Sequence, residues 1–527
     1  MDNTFSKSDS IFNMHAYWTK QPLQIITNQI LKNTNPGDIV LDCFGGSGMT
    51  GLAATLSGRN AIIYDISPIC GHIANGYCSP VDINMIEETY TVLVDSIQKK
   101  ISDMYQTTCN HCNNSGKIIF TIMGEVDLDP YNTVIHTGQE KLNNIREGVD
   151  YVKKKNTEFS HYELMEIVYN CQCNKNKLRK LPDKEDVLKH ESRAELMWVP
   201  HDSFFGSESK RNLRKKINSI PDLYSGRNLT ALSIIYDEIN KIENENTKSF
   251  FLFIFTSILF NCSMMSIYRS YENTSIRMGT LYVPSVIKDN NVLKSFIHKC
   301  NNTIKMKKHL NSRYSGSVQI FREDATKIKL DENSIDYVYL DPPYSDIINY
   351  SQLNIVWESW LRDSTDNKNE LIVNDQEGKS IEYYENGMTE VFNKIYSALK
   401  PGKRMTLIFN HPKIESWVAI QNAIVRSGFI PIETKTPNRI LSSSKTSSQL
   451  TTDKVVQGFM MLDFEKRPNE TPKLVELSDE DYEKIVVDIV NESVNEGYIS
   501  KSDKYDYVIN RLFQTYLIKK IDIVKFL

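Results

Sequence analysis

The 527-residue chain lacks the features that mark membrane-spanning, secreted and disulfide-stabilised proteins. Its richest apolar stretch, Phe250 to Phe260, is shorter than the roughly 20 residues that a transmembrane helix needs, and it predicts a buried helix instead. No charged leader with an apolar core and a small-residue cleavage site opens the sequence. Nine cysteines, an odd number without dense spacing, fit a reducing compartment. These absences predict a cytoplasmic protein with no membrane partner.

An overall positive charge is also missing, because the formal net charge is −4. Local charge matters more than the sum for nucleic-acid binding, and the acidic start of the tail, Glu476 to Glu483, offsets a basic cluster in the middle of the chain. This cluster is a candidate DNA-contacting surface, although such clusters also occur as ordinary solvated surface. It comprises Lys210, Arg211, Arg214, Lys215, Lys216 and Arg227.

Five apolar segments predict the strands of one sheet. Helical patterns and turns separate them, as in an α/β fold with a mainly parallel sheet. The predicted strands are Asp38 to Leu41, Asn60 to Tyr64, Val318 to Phe321, Ile335 to Leu340, and Arg404 to Phe409.

A glycine-rich turn follows the first strand. The run from Asp42 to Gly48 leads from the strand into a small-residue helix, where doubly wound sheets bind a nucleotide-type cofactor. Asp65 ends the second strand, as an acid does in such folds. By itself the turn also suits NAD or another nucleotide, although the lysine of a phosphate-binding P-loop does not follow it.

The tetrapeptide Asp341-Pro342-Pro343-Tyr344 closes the fourth strand at its carboxyl end. Because the carboxyl ends of parallel strands meet at one edge, we expect this loop to lie beside the glycine turn. Together the two motifs resemble those of the amino-methylating, S-adenosylmethionine-dependent DNA methyltransferases. The resemblance implies a Rossmann-like methyltransferase sheet and covers about half of the chain, leaving the middle and the tail weakly matched.

The resemblance implies roles for individual residues. In the catalytic loop, the Asp341 carboxylate and the Pro342 carbonyl accept the N–H groups of an exocyclic amino group, Pro343 stiffens the loop, and Tyr344 stacks on the base. Such a base must leave the duplex to reach the loop. The cofactor-binding residues implied in the same way are Trp18, Lys20, Asp42, Phe44, Gly46, Gly48, Thr50, Asp65 and Asp324.

The first residue of the loop indicates the target base. In the family, Asp at this position is associated with adenine N6 and Ser with cytosine N4, so Asp341 favours adenine. Cytosine N4 methylation, RNA adenine methylation and a non-catalytic DNA-binding subunit stay open as alternatives. Carbon-5 methylation requires a Pro-Cys loop, which the chain lacks. The setting implied is the modification component of a restriction-modification or phage-defence system, with duplex DNA and a cognate defence subunit as partners.

The connection between the second and third strands is too long for a loop and predicts an inserted domain. We expect a discontinuous catalytic domain over 1–80 and 281–466, an inserted α+β target-recognition domain over 81–280, and a small helical tail over 467–527. Ser442 to Thr452 predicts a polar loop.

Four cysteines pair by spacing within the predicted insertion. Cys109 and Cys112 form a C-x2-C motif, and Cys171 and Cys173 form a C-x-C motif. Thiolates grouped in this way suit a structural tetrahedral zinc ion, although the second spacing is one residue short and free cysteines are the alternative.

Overall fold

The computed structural model describes residues 11–527 except 148–158, 271–274, 435–438, 442–457, 473–476, 499, 516–517 and 522. The polar loop predicted over Ser442 to Thr452 therefore lies outside the described residues. The strands, in chain order, are β1 Ile39–Asp42, β2 Asn60–Asp65, β3 Gln106–Thr108, β4 Ser115–Leu128, β5 Val134–His136, β6 Phe159–Cys171, β7 Asn174–Lys180, β8 Val286–Asn290, β9 Val318–Arg322, β10 Ile335–Leu340, β11 Leu399–Phe409, β12 Ile430–Pro431, β13 Arg439–Leu441 and β14 Gly458–Glu465.

Helices connect these strands and cover the sheets. Up to the catalytic loop they are α1 Leu23–Asn33, α2 Met49–Leu56, α3 Pro68–Cys78, α4 Ile83–Ile101, α5 Gly138–Glu147, α6 Lys184–Glu191, α7 Gly206–Asn212, α8 Gly226–Asn240, α9 Glu245–Ile258 and α10 Val292–Asn311. After it come α11 Tyr350–Glu358, α12 Ile381–Ala398, α13 Ile414–Arg426 and two tail helices, Asp479–Asn495 and Lys501–Gln514. Among the described residues, no helix combines the length and apolarity needed to cross a bilayer.

The larger sheet runs in the order β12-β14-β11-β10-β1-β2-β9, with β13 paired to β14. Strands β11, β10, β1, β2 and β9 are parallel, whereas β14 is antiparallel to β11 and to β12. This confirms the predicted α/β class and all five predicted strands. The central strand β10 is buried along its whole length, because its apolar residues meet helices on both faces. The strand order reverses between β1 and β10, which opens a ligand crevice at their carboxyl ends.

The smaller sheet is antiparallel in the order β3-β4-β6-β7, with β5 and β8 also paired to β4. The predicted boundary at residue 281 is wrong in one respect, because β8 pairs with Phe120 to Gly124 of β4 and so belongs to the insertion's sheet. Helix α9 contains the apolar run from Phe250 and is buried, as predicted. Phe253 of α9 lies against Gly76 of α3, where a Cβ would be 2.1 Å from its ring. The helical part of the insertion therefore packs on α3, one of the helices beside the larger sheet.

The tail packs on the larger sheet. The Phe513 ring lies 5.7 Å from that of Trp417 in α13, and the Gln421 amide donates to the Ile518 carbonyl (3.2 Å). Val508, Ile509 and the other inward residues of the second tail helix are buried. The described part of the tail thus contains two helices, whose buried residues share a hydrophobic core with α13 and the larger sheet.

Candidate active site

A cleft lies at the carboxyl edge of the larger sheet, where β1, β2, β9 and β10 end. It encloses about 890 Å³ free of protein atoms, a volume that includes open solvent at its mouth. Residues of the glycine turn and of the Asp-Pro-Pro-Tyr loop both line this cleft. The lining includes Lys20, Asp42, Phe44, Gly46, Thr50, Asp65, Asp324, Asp341 and Pro343.

Asp42 ends β1 at the floor of the cleft. Its carboxylate accepts hydrogen bonds from the Thr50 hydroxyl (2.7 Å) and the Phe44 backbone N–H (3.0 Å). Burial raises the pKa of Asp42 to about 7, and the nearby Asp341 and Asp65 add to the rise. Thr50 and Phe44 therefore fix the orientation of Asp42, while the cleft disfavours its negative charge.

Asp65 ends β2 on the opposite side of the turn. It accepts the backbone N–H groups of Gly46 (2.9 Å) and Ser67 (2.9 Å), and burial raises its pKa. Gly46 has φ +48°, and a Cβ there would lie 3.1 Å from the Tyr17 ring. The Tyr17 ring thus covers the glycine turn closely, and the left-handed backbone together with this tight contact favours glycine at this position.

Gly48 serves helix packing. It has φ +75°, and a Cβ there would lie 2.5 Å from the Cβ of Ala74 in α3. The run Gly46-Ser47-Gly48-Met49-Thr50-Gly51 has the G-x-G-x-x-G spacing of dinucleotide sites, so spacing alone does not exclude a dinucleotide. The Gly46 N–H, however, faces the Asp65 carboxylate.

Two residues predicted to bind the cofactor have partners within the protein. The Trp18 indole donates to the Asn354 side chain (2.8 Å), and Trp18 borders a neighbouring cavity behind the Tyr17 to Pro22 segment. Lys20 lines the cleft, but its ammonium donates to the carbonyls of Phe12 and His15 (2.6 Å for His15). Burial holds the pKa of Lys20 well below its usual range. In this structure, Lys20 therefore fixes the fold of the preceding turn.

Asp324 follows β9 and closes the far end of the cleft. Its carboxylate accepts from the backbone N–H and hydroxyl of Thr326 (2.9 and 2.8 Å) and pairs with Lys327 (3.1 Å). Asp324 lines the same cleft as Asp42, and its role in binding the cofactor stays a prediction.

The catalytic loop starts with Asp341, which is held at both carboxylate oxygens. The Tyr344 hydroxyl donates to one oxygen and the Gln21 amide to the other (3.0 Å). Burial raises the pKa of Asp341 to about 6, against the lowering effect of these two hydrogen bonds. Gln21 lies beside Lys20 in the chain, and its contact with Asp341 was not predicted from the sequence.

A strained turn fixes the end of the loop. Ser345 has φ +52°, an uncommon conformation for a residue with a side chain, and its N–H bonds to the Pro343 carbonyl (3.1 Å). The Tyr384 hydroxyl donates to the same carbonyl (2.7 Å), and the Val373 N–H bonds to the Ser345 carbonyl (3.2 Å). Tertiary contacts therefore hold the loop in one conformation.

The Tyr344 ring is buried against Phe459, with ring centres 5.3 Å apart and planes 27° apart. Tyr344 is only 4% exposed, so its predicted role in stacking on a base stays a prediction. His411 is fully buried, bonds to Asp346 (2.9 Å) and accepts from the Lys413 N–H (3.0 Å). His411 therefore supports the loop through Asp346.

Sequence reasoning left Tyr350 without a role. Its ring lies parallel to that of Tyr17 (6.3 Å between centres, 15° between planes), its hydroxyl bonds to Thr19 (3.2 Å), and it lines the cleft. Glu370 also lines the cleft but accepts from the Ser351 hydroxyl and N–H. The aromatic residues after the catalytic loop were a signal for Tyr350, whereas nothing local indicated Glu370.

The four predicted zinc ligands come together. Cys109 and Cys112 lie in the turn between β3 and β4, and Cys171 and Cys173 lie at the turn between β6 and β7. The sulfur atoms of Cys109 and Cys173 are 3.6 Å apart, those of Cys112 and Cys171 are 3.5 Å apart, and all four lie within 4.8 Å of one another. Tetrahedral zinc with bonds of about 2.3 Å separates its sulfur ligands by about 3.8 Å. The four thiols therefore fit such an ion.

The predicted basic cluster divides into exposed and buried members. Lys210, Arg211 and Lys216 are exposed, and Arg214 is half-buried. Lys215 donates to the Val283 carbonyl and the Tyr162 hydroxyl, and burial lowers its pKa to about 8. These contacts turn its ammonium inward, so a contact with DNA phosphate is not supported.

The prediction that Arg227 contacts DNA is wrong. Its side chain is 1% exposed, it pairs with Asp289 (3.0 Å), and it donates to the Thr121 hydroxyl (3.0 Å). The Tyr105 ring covers its guanidinium at 4.9 Å. Arg227 therefore links α8 to strands β4 and β8 of the smaller sheet within the protein interior.

A cleft lined by carboxylates and a glycine turn thus lies at the switch point of a doubly wound sheet, with the Asp-Pro-Pro-Tyr loop at its edge, and such a position is typical of sites that bind a nucleotide-type cofactor. Residues 2–76 match a family model for DNA methylases of the N6/N4 type. A 66-residue stretch is 39% identical to the Type II methyltransferase M1.MboII of Moraxella bovis, and it covers 12% of this chain and 25% of that relative. The aligned stretch thus spans a quarter of the relative's length. These matches support the resemblance to S-adenosylmethionine-dependent DNA methyltransferases.

Proposed function

We propose that the protein transfers a methyl group from S-adenosylmethionine to the exocyclic amino group of a DNA base turned out of the duplex, with adenine N6 as the target. The observation that carries the proposal is the position of Asp341. Its carboxylate lies on the same cleft as Asp42, Asp65 and the glycine turn, so a nucleophile bound at Asp341 would face a cofactor bound along that turn.

The electrostatics of the cleft favour this cofactor over a dinucleotide. When bound, S-adenosylmethionine supplies an activated methyl group on a cationic sulfonium. Burial raises the pKa of Asp42 to about 7 and that of Asp341 to about 6, and neighbouring carboxylates add to the rise for Asp42. A cation beside these two groups would offset the cost of ionising them. A pyrophosphate would instead add negative charge, and the Gly46 N–H is directed at Asp65. The residues present therefore fit a cationic ligand.

The residues of the loop would act by positioning. The ionised Asp341 carboxylate would accept one N–H of the target amino group and the Pro342 carbonyl a second, which would direct the nitrogen lone pair toward the cofactor. Gln21 and Tyr344 hold Asp341 at its two oxygens before substrate arrives, so little reorganisation is needed on binding. The choice of adenine over cytosine rests on Asp341 as the first residue of the loop.

The inserted region would contact the DNA. Lys210, Arg211 and Lys216 are the exposed cations that could meet phosphates, and the four cysteines would hold zinc that fixes the two hairpin turns of the smaller sheet. Replacing Lys216 by Ala should weaken binding to all duplexes and reduce the salt dependence of affinity, whereas replacing the exposed Lys99 of α4 should do neither. The setting would be a restriction-modification or phage-defence system, with a cognate subunit as partner.

The test is transfer of labelled methyl from S-adenosylmethionine to unmodified duplex DNA, followed by digestion to nucleosides. The intact protein should produce N6-methyladenine, and Asp341→Asn should produce none. N4-methylcytosine would keep the reaction and overturn the base assignment. Transfer to RNA alone would identify an RNA adenine methyltransferase, and DNA binding without transfer to either nucleic acid would identify a non-catalytic subunit.

A further inference from the structure

Helix α11 touches three functional regions at once. It begins six residues after Tyr344, and its first residue, Tyr350, lines the cleft. Further along, Asn354 donates to the Ser67 hydroxyl (3.0 Å), and that hydroxyl donates to Glu358 (2.5 Å). Because the Ser67 N–H holds Asp65, α11 supports the cofactor side of the cleft as well as the catalytic loop.

The opposite side of α11 contacts the insertion through Gln352, which is 1% exposed. Its amide oxygen accepts from the Ser207 hydroxyl (3.1 Å) and the Glu208 N–H (3.3 Å) at the start of α7. Gly206 has φ +67°, and a Cβ there would lie 2.2 Å from the Gln352 amide nitrogen. The close approach of the two helices thus depends on Gly206, and Asn349 adds a longer contact to Ser207 (3.4 Å).

The segment that begins with α7 continues to the smaller sheet. The Glu208 carboxylate accepts from the Thr280 hydroxyl (3.0 Å) and the Leu281 N–H (2.9 Å), and Arg214 pairs with Glu125 of β4 (3.3 Å). Exposed Lys210, Arg211 and Lys216 lie on this same segment. Residues 206–216, here called the bridge segment, therefore join the exposed cations and the smaller sheet to α11.

We propose that Gln352 is a positioning residue that couples DNA engagement by the bridge segment to the catalytic loop through α11. This inference rests on the proposed function for its substrate. Phosphate contacts on the bridge segment would fix its orientation, and the Gln352 contact would pass that constraint to α11 and so to Asp341 and Asp65. The loop at Asp341 and the cofactor side of the cleft at Asp65 would then become ordered together when DNA binds.

The first test is kinetic. Gln352→Met keeps the side-chain length but removes the acceptor of both hydrogen bonds from the bridge segment and also the donor to Glu377 (3.3 Å). Ser207→Ala removes one of the two bonds from the insertion side and leaves the Glu377 contact in place. Each should lower kcat, Gln352→Met by roughly fivefold or more, while KM for S-adenosylmethionine and the Kd for DNA change less than twofold. The double variant should be about as slow as Gln352→Met, because the hydrogen bond to Gln352 that Ser207→Ala removes is already lost in Gln352→Met. Replacing the exposed Gln98 of α4 by Met is the matched control.

The second test does not depend on activity. Hydrogen exchange of residues 341–358 is measured with and without a pool of unmodified duplex fragments. Duplex should slow exchange there in the intact protein but not in Gln352→Met, although both bind the duplex. The inference would be overturned if Gln352→Met lost this slowing only because it no longer bound DNA. It would also be overturned if the kcat of Gln352→Met were unchanged. An intact protein that shows the slowing without methyl transfer would refute the proposed function and keep the coupling.

Discussion

Replacing Asp341 by Asn should remove activity and at the same time stabilise the folded protein. The pKa of Asp341 rises from an ordinary value of 3.8 to about 6, mainly through burial. A folded-state pKa above the unfolded value means that ionisation costs stability as the pH rises. A rise of about two units in this pKa corresponds to a loss of about 3 kcal/mol in the free energy of unfolding at pH values above 6. Because Asp341 is only half-buried and faces the cleft, solvent should reduce this to about 1–2 kcal/mol.

Asparagine can keep the local hydrogen bonds. Its oxygen can accept from the Tyr344 hydroxyl, and the Gln21 amide can rotate to present its oxygen to the new amide nitrogen. The variant should therefore unfold at a higher temperature than the intact protein at pH 8. About half of the difference should be lost at pH 5, because part of the Asp341 population is then protonated in the intact protein. Calorimetric melting at the two pH values measures this directly.

A matched variant has the opposite expected sign. Asp336 pairs with Lys400 (2.7 Å), and although burial opposes the effect, its pKa lies below the usual value. Replacing Asp336 by Asn should therefore lower the melting temperature at pH 8. The reasoning about Asp341 would be refuted if Asp341→Asn melted below the intact protein at pH 8, or if its advantage were equal at pH 5 and pH 8.

Three further predictions concern activity, packing and metal content. Because Asp341 must be ionised to accept an N–H, kcat/KM for DNA should fall as the pH drops through about 6, and a profile flat from pH 8 to pH 5 would exclude that role. Gly48→Ala should lower the free energy of unfolding, measured by chemical denaturation, by about 2–4 kcal/mol, because the backbone there is left-handed and the added Cβ would meet α3. Gly58→Ala, where the backbone is also left-handed but the added Cβ has room, should lower it by about 1 kcal/mol. Cys109→Ser should reduce bound zinc measured by elemental analysis and lower thermal stability, while Cys300→Ser, buried in α10, should leave the zinc content unchanged. Equal zinc in both cysteine variants would contradict the assigned ligands.

The sequence by itself determined the sheet and the two ends of the cleft. Strand ends, the glycine turn and the Asp-Pro-Pro-Tyr loop are local patterns, and parallel strands place such ends at one edge whatever lies between them. This is why Asp42, Asp65 and Asp341 could be placed together although nearly 300 residues separate the first from the last. The four cysteines could be grouped for a similar reason, since each pair lies in a single turn.

The tertiary structure decided which charged groups are free and which elements are coupled. The sequence predicted Arg227 to be a surface cation, but Arg227 pairs inside the protein with Asp289, which lies 62 residues away in the chain. The strand β8 joined the insertion's sheet because its partner β4 lies far back in the chain. The contact of Gln352 with the bridge segment likewise joins residues 145 positions apart. Burial and pairing over such distances leave no local periodicity, so they emerge only when the whole chain is folded.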